Sequence, residues 1–186
     1  MYSDMLTGIG RALLAHYLSQ PNNIVVAGVR DLKHQTTLSL SNLPLGAGSK
    51  LITVKIDSVS DTDAAAAIST LQSEYNVSVL DVVVANSGIC RWAPIAEVPI
   101  SELVEHLNVN AIGPVRLFQA TRPLLQRSTK NPRFAVISSV AGSVAEAPAF
   151  ELYFGAYGAS KATINFLTRK IHFENEWLTA LPLHPG

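Results

Sequence analysis

Short, nearly continuous apolar runs recur along the chain at intervals that leave room for a helix between them. Such runs are typical of parallel strands that helices cover on both faces, because neither face of the strand then meets water. Four runs fit this pattern, at residues 24–29, 51–56, 80–85 and 134–138. We therefore predict four buried parallel strands.

Helical periodicity fills the intervals between these strands. Ser60 and Asp63 have the spacing of a capping box, which predicts that a helix begins there. The apolar residues that follow recur in steps of three and four, as in a helix packed on a sheet: Ala64, Ala67, Ile68, Leu71 and Tyr75. Three further helices are predicted, at residues 11–18, from about Ser101 with a bend at Pro114, and at residues 157–177.

This alternation of strands and helices predicts an α/β fold with a Rossmann-like, doubly wound parallel sheet. Consecutive parallel strands need a crossover connection, and a helix supplies it with the right-handed sense that such connections favour. No internal repeat, low-complexity tract or linker interrupts the sequence, and residues 43–49 are predicted to be a loop. We interpret residues 1–186 as a single domain.

Composition and charge narrow the class of partner. Lys plus Arg and Asp plus Glu both total 14, so no net charge draws the chain to nucleic acid or to an anionic membrane. The apolar runs are shorter than the ~20 residues of a membrane span, and the first residues do not resemble a secretory signal. Cys90 has no partner for a disulfide, and the histidines lack the spacing of metal ligands. We expect a cytoplasmic protein with a small-molecule substrate and no metal.

Tyr157 and Lys161 are the first candidates for chemistry. Four residues apart, they lie on one face of the predicted helix, one turn from each other. A nearby ammonium group favours the phenolate form of a tyrosine, so this pair suits proton transfer. The alternative is an ordinary pair of residues on a helix surface. Ser139 favours the first interpretation, because it follows a predicted strand at the edge where open α/β sheets bind ligands.

These residues carry a resemblance to the short-chain dehydrogenase/reductase family. Tyr157 and Lys161 match the family's Tyr-x-x-x-Lys, Ser139 its serine before a small x-x-Gly, and Asn110 with Gly113 its Asn-x-x-Gly. The four residues Asn110, Ser139, Tyr157 and Lys161 are therefore the predicted catalytic set. Taken singly, Ser139 could be a strand cap and Asn110 a polar helix residue; their shared chain order favours the family interpretation.

Three further segments extend the resemblance. Residues 86–88 are similar to the family's Asn-Asn-Ala-Gly, which makes Asn86 and Gly88 candidates for cofactor binding. Asp57, after the second predicted strand, fits the family's acid beside the adenine. The final Pro185 and Gly186 resemble the family's Pro-Gly at the end of the next strand.

The resemblance implies an oxidoreductase that interconverts a carbonyl and an alcohol. Tyr157 would protonate the carbonyl oxygen while a nicotinamide delivers hydride to carbon, and Ser139 would donate a hydrogen bond to the developing oxyanion. Lys161 would lower the pKa of Tyr157 and hold the nicotinamide ribose. Asn110 would keep a water-linked proton path behind the lysine. The family also allows a homo-oligomer.

The end of the first apolar run indicates which nucleotide is bound. An acid at this corner of a dinucleotide site holds the ribose 2′-hydroxyl, whereas an arginine accommodates a 2′-phosphate. Val29 occupies the position where NAD-preferring relatives carry the acid, and Arg30 follows it. NADP(H) is therefore favoured over NAD(H), with Arg30 as the phosphate ligand. The alternative is that Arg30 is a solvated loop charge and Asp31 caps the next helix.

The substrate interpretation rests on aromatic residues that flank the predicted reaction centre. They follow the strand before Asn86 or lie between Ser139 and Tyr157: Trp92, Phe150, Tyr153 and Phe154, with Pro94 among them. An apolar or aromatic ketone would fit, although aromatic loop residues also serve as local core. Residues 112–121 resemble those of fungal ketoreductases related to norsolorinic acid reductase, a link to fungal secondary metabolism.

The sequence departs from the family at its glycine-rich turn and at both ends. Gly8, Ile9 and Gly10 remain as cofactor-binding candidates before the first helix, but Asp4 stands where the family has its first glycine, and its carboxylate repels phosphate. Only residues 1–2 precede the turn, so the central first strand is expected to be missing and its neighbours to lack ladder partners. The C-terminal segment that covers the substrate is expected to be missing too.

Two alternative functions stay open on these grounds. One is a non-catalytic remnant, or a truncated gene model without activity. The other is an epimerase-type relative, which shares the Tyr and Lys pair, but the Gly-x-x-Gly-x-x-Gly turn of such enzymes is not visible in the sequence.

Overall fold

The computed structural model describes the backbone of residues 2–3 and all of residues 8–146 and 153–186. Its strands are β1 Tyr2–Ser3, β2 Ile24–Val29, β3 Lys50–Lys55, β4 Val82–Ala85, β5 Gly88–Ile89, β6 Arg133–Ile137 and β7 Thr179–Leu183. Its α-helices are α1 Ile9–Ser19, α2 Gln35–Leu38, α3 Asp63–Tyr75, α4 Ile100–Leu107, α5 Gly113–Leu125 and α6 Gly155–Glu174. The α/β order and all four predicted strands are confirmed, with boundaries shifted by one or two residues.

The parallel strands form two separate groups in the described part of the chain. β2 pairs with β3, and β4 pairs with β6, which pairs in turn with β7. All of these pairs are parallel, as the apolar runs predict. β1 lies antiparallel to the two-residue strand β5 instead of between the two groups. Among the residues that the structure describes, β2 and β4 each have one edge without a paired strand, in keeping with the expected loss of ladder partners.

Three apolar clusters stabilise the layers. The largest joins β6 to the helices on both sides of it, with Phe134, Leu125 and Ile164 fully buried. A second joins β3 to α3 through Ile52 and Leu71, and a third lies beneath β2. Removing such side chains from water is the main force that holds helices on a sheet.

The capping box works in a modified form at the start of α3. The Asp63 amide donates to Ser60 Oγ at 3.1 Å, while the Asp63 carboxylate accepts from the Asp57 amide at 3.1 Å and pairs with Lys55 at 3.1 Å. The Ser60 hydroxyl and the Lys55 ammonium lower the pKa of Asp63, and the Asp57 amide adds to the effect. The end of β3 is thereby tied to the helix that follows it.

The bend predicted at Pro114 is an interruption of the helix. A π-helical turn, Asn108–Ile112, separates α4 from α5, and Pro114 lies in the first turn of α5. Proline has no amide hydrogen to donate to the preceding turn, so the helix restarts where that loss costs least. The turn holds Asn110, in keeping with the tendency of π-helical turns to lie at functional sites.

Among the described helices, none combines the length and the apolar character needed to traverse a lipid bilayer.

Candidate active site

The predicted catalytic residues converge at the carboxyl ends of β4 and β6. Ser139 follows β6 and precedes a short 3₁₀ turn, Val140–Gly142. Tyr157 lies in the first turn of α6, and Lys161 lies one turn further along the same helix. Ligands of open α/β sheets bind at this edge, where loops can reach over the ends of the strands.

Ser139 links the end of β6 to the tyrosine. Its backbone is extended, and its Oγ accepts a hydrogen bond from the Ala141 amide at 3.2 Å. The Ser139 hydroxyl is also hydrogen-bonded to the Tyr157 side chain. Ser139 is therefore both the cap that the isolated residue suggested and the neighbour of the tyrosine that the family resemblance implied.

The environment of Tyr157 keeps its phenol protonated. Burial raises the pKa of Tyr157 above its ordinary value, against the opposing effect of the Ser139 hydrogen bond. The expectation that this pKa is lowered by Lys161 is wrong for this structure. The physical reason is that desolvation disfavours the phenolate, and the ammonium group is directed elsewhere.

Lys161 is buried and donates a hydrogen bond to the main chain. Its Nζ lies 2.7 Å from the Ile137 carbonyl oxygen and 5.5 Å from the centre of the Tyr157 ring. Only 4% of the residue is exposed, and burial lowers the pKa of Lys161 to about 8. With a pKa of about 8 the Lys161 ammonium group is still charged at neutral pH, but its charge responds readily to its surroundings.

Asn110 holds the loop after β4 against α6. Its Oδ1 accepts from the Ile89 amide at 2.8 Å, and its Nδ2 donates to the Ile89 carbonyl at 2.8 Å and to Ser160 Oγ at 2.9 Å. Ser160 in turn donates to the Tyr157 carbonyl at 2.7 Å. This network fixes the position of Tyr157 on its helix. A proton path through water behind Lys161 stays a prediction.

Gly88 permits the close approach of these elements. A Cβ atom at Gly88 would lie 3.3 Å from Asn110 Oδ1 and 3.6 Å from Lys161 Nζ. The first of these distances is tighter than an ordinary contact, so a side chain here would push on the amide that holds β5. The requirement for glycine at this point is therefore steric.

An aromatic chain lies beside the reaction centre. The Trp92 and Phe154 rings meet edge to face with centroids 5.6 Å apart, and the Phe154 and Tyr157 centroids are 5.8 Å apart. The Ala93 amide donates to the Tyr153 carbonyl at 3.0 Å, which joins the two loops. Trp92 is 63% exposed, so its ring presents an apolar surface to solvent next to the tyrosine. Phe150 lies outside the described residues.

The base of this aromatic loop is fixed by a buried histidine. His106 Nε2 accepts from the Arg91 amide at 3.2 Å, and Nδ1 lies 2.9 Å from the Glu102 carbonyl oxygen, to which it can only donate. This arrangement assigns the neutral ring with its hydrogen on Nδ1. The Arg91 guanidinium pairs with the carboxylate of Glu105, which lies on α4 as His106 does. The loop that carries Cys90 and Trp92 is thus anchored to α4.

Gly8, Ile9 and Gly10 form the start of α1. Gly8 has φ +67°, a left-handed conformation that favours glycine, and as the N-cap residue it has no side chain of its own to cap the helix. The first amides of α1 can therefore face an anion such as a pyrophosphate, and a residue with a side chain at Gly8 would be strained. Asp4 lies outside the described residues.

The remaining cofactor candidates lie at the ends of β2, β3 and β4. Arg30 is exposed directly after β2. The Asp57 carboxylate accepts from the Val59 amide at 3.1 Å and, with Asn86, lines a cleft between β2 and β4. Asp57 and Asn86 thus share one cleft, and Arg30 follows a strand that lines it; the contacts of all three with a nucleotide stay predictions.

Sequence reasoning did not find several groups at this site. Ser160 and the backbone of Ile89 and Ile137 act only through hydrogen bonds formed on folding, so no residue pattern reveals them. Cys90 accepts from Trp92 Nε1 at 3.2 Å, and burial raises the pKa of its thiol. The position of Cys90 just after residues 86–88 was the one feature of the sequence that could have pointed to it.

Comparison with known proteins agrees with this geometry. Residues 5–177 match the family described as short chain dehydrogenase. Over 181 residues the chain is 41% identical to norsolorinic acid ketoreductase of Aspergillus parasiticus, covering 96% of this chain and 66% of that relative. It is 43% identical to the short-chain dehydrogenase RED3 of Pyricularia oryzae, covering 96% and 72%. The chain spans about two thirds of the length of the curated relatives that it matches.

Solved structures with the same fold include two whose titles name a nucleotide. The NADPH-bound carbonyl reductase from chicken fatty liver superposes with a TM-score of 0.87 at 27% identity, over 98% of this chain and 73% of that one. The RhlG/NADP active-site complex of Pseudomonas aeruginosa superposes with a TM-score of 0.77 at 26% identity, over 97% and 69%.

Proposed function

Because the chain belongs to the short-chain dehydrogenase family, we propose that it catalyses the NADP(H)-dependent reduction of an apolar or aromatic ketone. One observation carries the proposal: Tyr157 is hydrogen-bonded to Ser139 and faces Lys161, so an acid, a hydroxyl donor and a cation share one site.

Tyr157 is the proton donor in this scheme. Its raised pKa keeps the phenol protonated at neutral pH, which is the form that a carbonyl oxygen needs as it gains negative charge. Ser139 donates a second hydrogen bond to the same oxygen. A bound nicotinamide nucleotide would supply the hydride for the carbonyl carbon, and the proton from Tyr157 would complete the alcohol.

Lys161 supplies the positive charge of the site. Its ammonium group lies 5.5 Å from the centre of the Tyr157 ring, beside the phenol that gives up the proton. Its hydrogen bond to the Ile137 carbonyl oxygen fixes the orientation of the ammonium group. Asn110 acts as a positioning residue, because it touches Ile89 and Ser160 and neither reacting group.

The residues present fit a dinucleotide. The uncapped start of α1 at Gly8 suits the pyrophosphate, and Gly88 leaves room beside Lys161. Arg30 supports the choice of NADP(H), since a guanidinium at the end of β2 matches a 2′-phosphate and Val29 supplies no carboxylate for a 2′-hydroxyl. The names of two structural neighbours that bind NADP or NADPH are consistent with this choice.

The substrate class follows from the aromatic loop. Trp92 and Phe154 form an apolar wall that continues to the Tyr157 ring, and flat aromatic substrates stack on or against such rings. The ketoreductase names of fungal relatives support a ketone as substrate. We place the substrate carbonyl at Tyr157 and its apolar part against Trp92.

The test measures nucleotide binding and ketone reduction separately. The melting temperature of the chain is measured with NADPH, with NADH and with neither, and NADPH consumption is then followed with a panel of aromatic and aliphatic ketones. We expect a larger shift with NADPH than with NADH, and turnover that favours the aromatic members.

Each contrary result identifies a different error. A nucleotide-induced shift without turnover of any ketone would favour the non-catalytic alternative. An equal shift with both nucleotides would contradict the role of Arg30, and no shift with either would contradict the proposed activity.

A further inference from the structure

A fully buried histidine supports the Trp92 loop, residues 90–93, from behind. His106 is 0% exposed and lies on α4. Its Nε2 accepts a hydrogen bond from the Arg91 amide at 3.2 Å, and its Nδ1 donates to the Glu102 carbonyl at 2.9 Å. The ring therefore joins the helix to the loop through two different backbone groups.

His106 and Asn110 support two neighbouring parts of the chain. They are four residues apart, one on α4 and one in the π-helical turn that continues it. Asn110 binds the backbone of Ile89, whereas His106 binds Arg91, two residues further on. The helix thus holds alternate residues of one segment, and the bond from His106 is the one that adjoins Trp92.

The orientation of the Trp92 ring depends on the backbone beneath it. The indole is 63% exposed, so packing in the core does not fix it. Its Nε1 donates to Cys90 Sγ at 3.2 Å, and its ring meets Phe154 edge to face. The contact with Cys90 lies within the loop and moves with it, and a thiol sulfur is a weak acceptor. The direction of the ring is therefore set where the chain passes from Cys90 to Trp92, which is at Arg91.

Arg91 is attached to α4 in two ways that differ in strength. Its guanidinium pairs with Glu105, but these side chains are 30% and 35% exposed, and a solvated ion pair contributes little to a fixed geometry. Its amide is held by His106, whose ring is fully buried, so water does not compete for the accepting nitrogen. The bond to His106 is thus the stronger of these two constraints on the loop.

We propose that His106 is a positioning residue for substrate selectivity. By holding the Arg91 amide it fixes Trp92 in the orientation against which the ring of an aromatic ketone packs, and its own burial keeps it from touching the substrate. Its effect falls on flat aromatic ketones, because a small aliphatic ketone does not need the indole. The identity of the substrate rests on the proposed function, whereas the support of Trp92 by His106 does not.

Two amide variants isolate the bond to Arg91. In His106→Gln the side-chain oxygen lies at the depth of Nε2 and can accept from the Arg91 amide. In His106→Asn the side chain ends at the depth of Nδ1, so it keeps a donor for the Glu102 carbonyl and loses Arg91. His172→Asn is the matched control, since His172 Nδ1 lies 3.1 Å from the Leu178 carbonyl oxygen, just before the amino end of β7.

Ketone kinetics give the first readout. We expect His106→Asn to raise KM for an aromatic ketone by about two- to fivefold, with kcat within about twofold of the parent. KM for a small aliphatic ketone should not change, and His106→Gln and His172→Asn should resemble the parent. In a Trp92→Ala background, His106→Asn should raise KM no further, because both changes act through the same ring. An equal rise for both ketones, or a further rise in that background, would overturn the proposal.

The indole itself gives a readout that needs no substrate. The chain has two tryptophans, so Trp177→Phe leaves Trp92 as the only source of indole signals. In this background we expect His106→Asn to lower the fluorescence anisotropy of Trp92 and to weaken its near-ultraviolet circular dichroism. His106→Gln should preserve both signals. Indole signals that are the same in His106→Asn as in its parent would overturn the proposal.

Amide exchange tests the bond without any substitution at His106. In the unmodified chain the Arg91 amide should exchange at least about tenfold more slowly than an amide without a hydrogen bond. Unprotected exchange there would overturn the proposal, including the case in which His106→Asn does not fold.

The two proposals fail in different ways. A parent chain that reduces no ketone would contradict the proposed function, and the indole signals and the exchange of Arg91 would still decide the role of His106. Ketone reduction together with unchanged indole signals in His106→Asn would contradict the role of His106 alone.

Discussion

The Asn110 side chain satisfies both backbone groups of Ile89, accepting from its amide and donating to its carbonyl at 2.8 Å each. Asn110 is 1% exposed and Ile89 is 2% exposed, so no water competes for these bonds. The π-helical turn between α4 and α5 is thereby attached to the loop that carries Gly88 and Cys90. The reaction centre depends on this attachment.

Replacing Asn110 by alanine should destabilise the fold. The buried amide and carbonyl of Ile89 would lose their partners, and each buried unsatisfied group costs about 1–3 kcal/mol. We expect the free energy of unfolding in urea to fall by roughly 2–4 kcal/mol. Asn42→Ala, at an exposed position, is the control and should change it little. A loss at Asn110 no larger than that of the control would contradict the network.

Tyr157→Phe should remove ketone reduction while leaving nucleotide binding intact. The substitution deletes the only atom that donates the proton and preserves the ring against Phe154 and Lys161. We expect turnover to fall by about 10²–10⁴-fold, with the NADPH-induced rise in melting temperature retained. Tyr153→Phe, at a residue that is 63% exposed, is the matched control. Turnover that survives in Tyr157→Phe would require another proton donor.

The buried ammonium of Lys161 should make stability depend on alkaline pH. Its pKa falls from 10.5 to about 8 on folding, so between these values the unfolded chain binds a proton that the folded chain does not. The free energy of unfolding should therefore rise with pH in this window. Below about pH 8 Lys161 should add no pH dependence, because both states are then protonated. By about pH 9.5 the contribution of Lys161 to the free energy of unfolding has risen by about 2 kcal/mol.

Lys161→Met should lose this dependence, whereas Lys170→Met, at an exposed helical position, should keep it. The raised pKa of the Cys90 thiol acts in the opposite direction within this window, and that of Tyr157 does so above its ordinary value. The effect of Lys161 is therefore the difference between the parent chain and Lys161→Met, followed to about pH 9.5. The measurement is urea unfolding at a series of pH values. Parallel curves for the parent chain and Lys161→Met would show that Lys161 is not desolvated in solution.

Arg30→Ala should weaken NADPH binding much more than NADH binding. Only NADPH carries the 2′-phosphate that a guanidinium can hold through two hydrogen bonds, an interaction worth about 1.5–3 kcal/mol, or about 10- to 100-fold in Kd. Isothermal titration with both nucleotides measures the difference, and Lys33→Ala on the same loop controls for general charge. Equal losses for the two nucleotides would place the phosphate elsewhere.

Trp92→Ala should raise KM for an aromatic ketone and leave kcat close to that of the parent. The indole is in edge-to-face contact with Phe154, whose ring in turn neighbours Tyr157, so it contributes binding rather than chemistry. An aromatic contact of about 0.5–1.5 kcal/mol corresponds to a two- to tenfold rise in KM. A small aliphatic ketone serves as control substrate and should show no change. A similar rise for both substrates would remove Trp92 from the substrate wall.

Much of the fold follows from local pattern. Strand positions and helix order are readable because burial on both faces imposes continuous apolar runs and packing on a sheet imposes a three-to-four residue repeat. The π-helical turn before Pro114 was predicted only as a bend, since a proline signals an interruption without specifying which hydrogen bonds replace the missing one. The α6 boundaries, Gly155–Glu174, differ from residues 157–177 because loop contacts set where helices end.

The family, the α/β order and the catalytic candidates are readable from the sequence alone, because they depend on residue identity and spacing along the chain. The pKa values at the site and the contacts between distant segments of the chain depend on the tertiary structure. The pKa of Tyr157 rises instead of falling, since its value depends on how much water folding removes. Asn110 binds the Ile89 backbone, and β2 and β4 face each other across an open cleft, because both relationships join residues far apart in the chain.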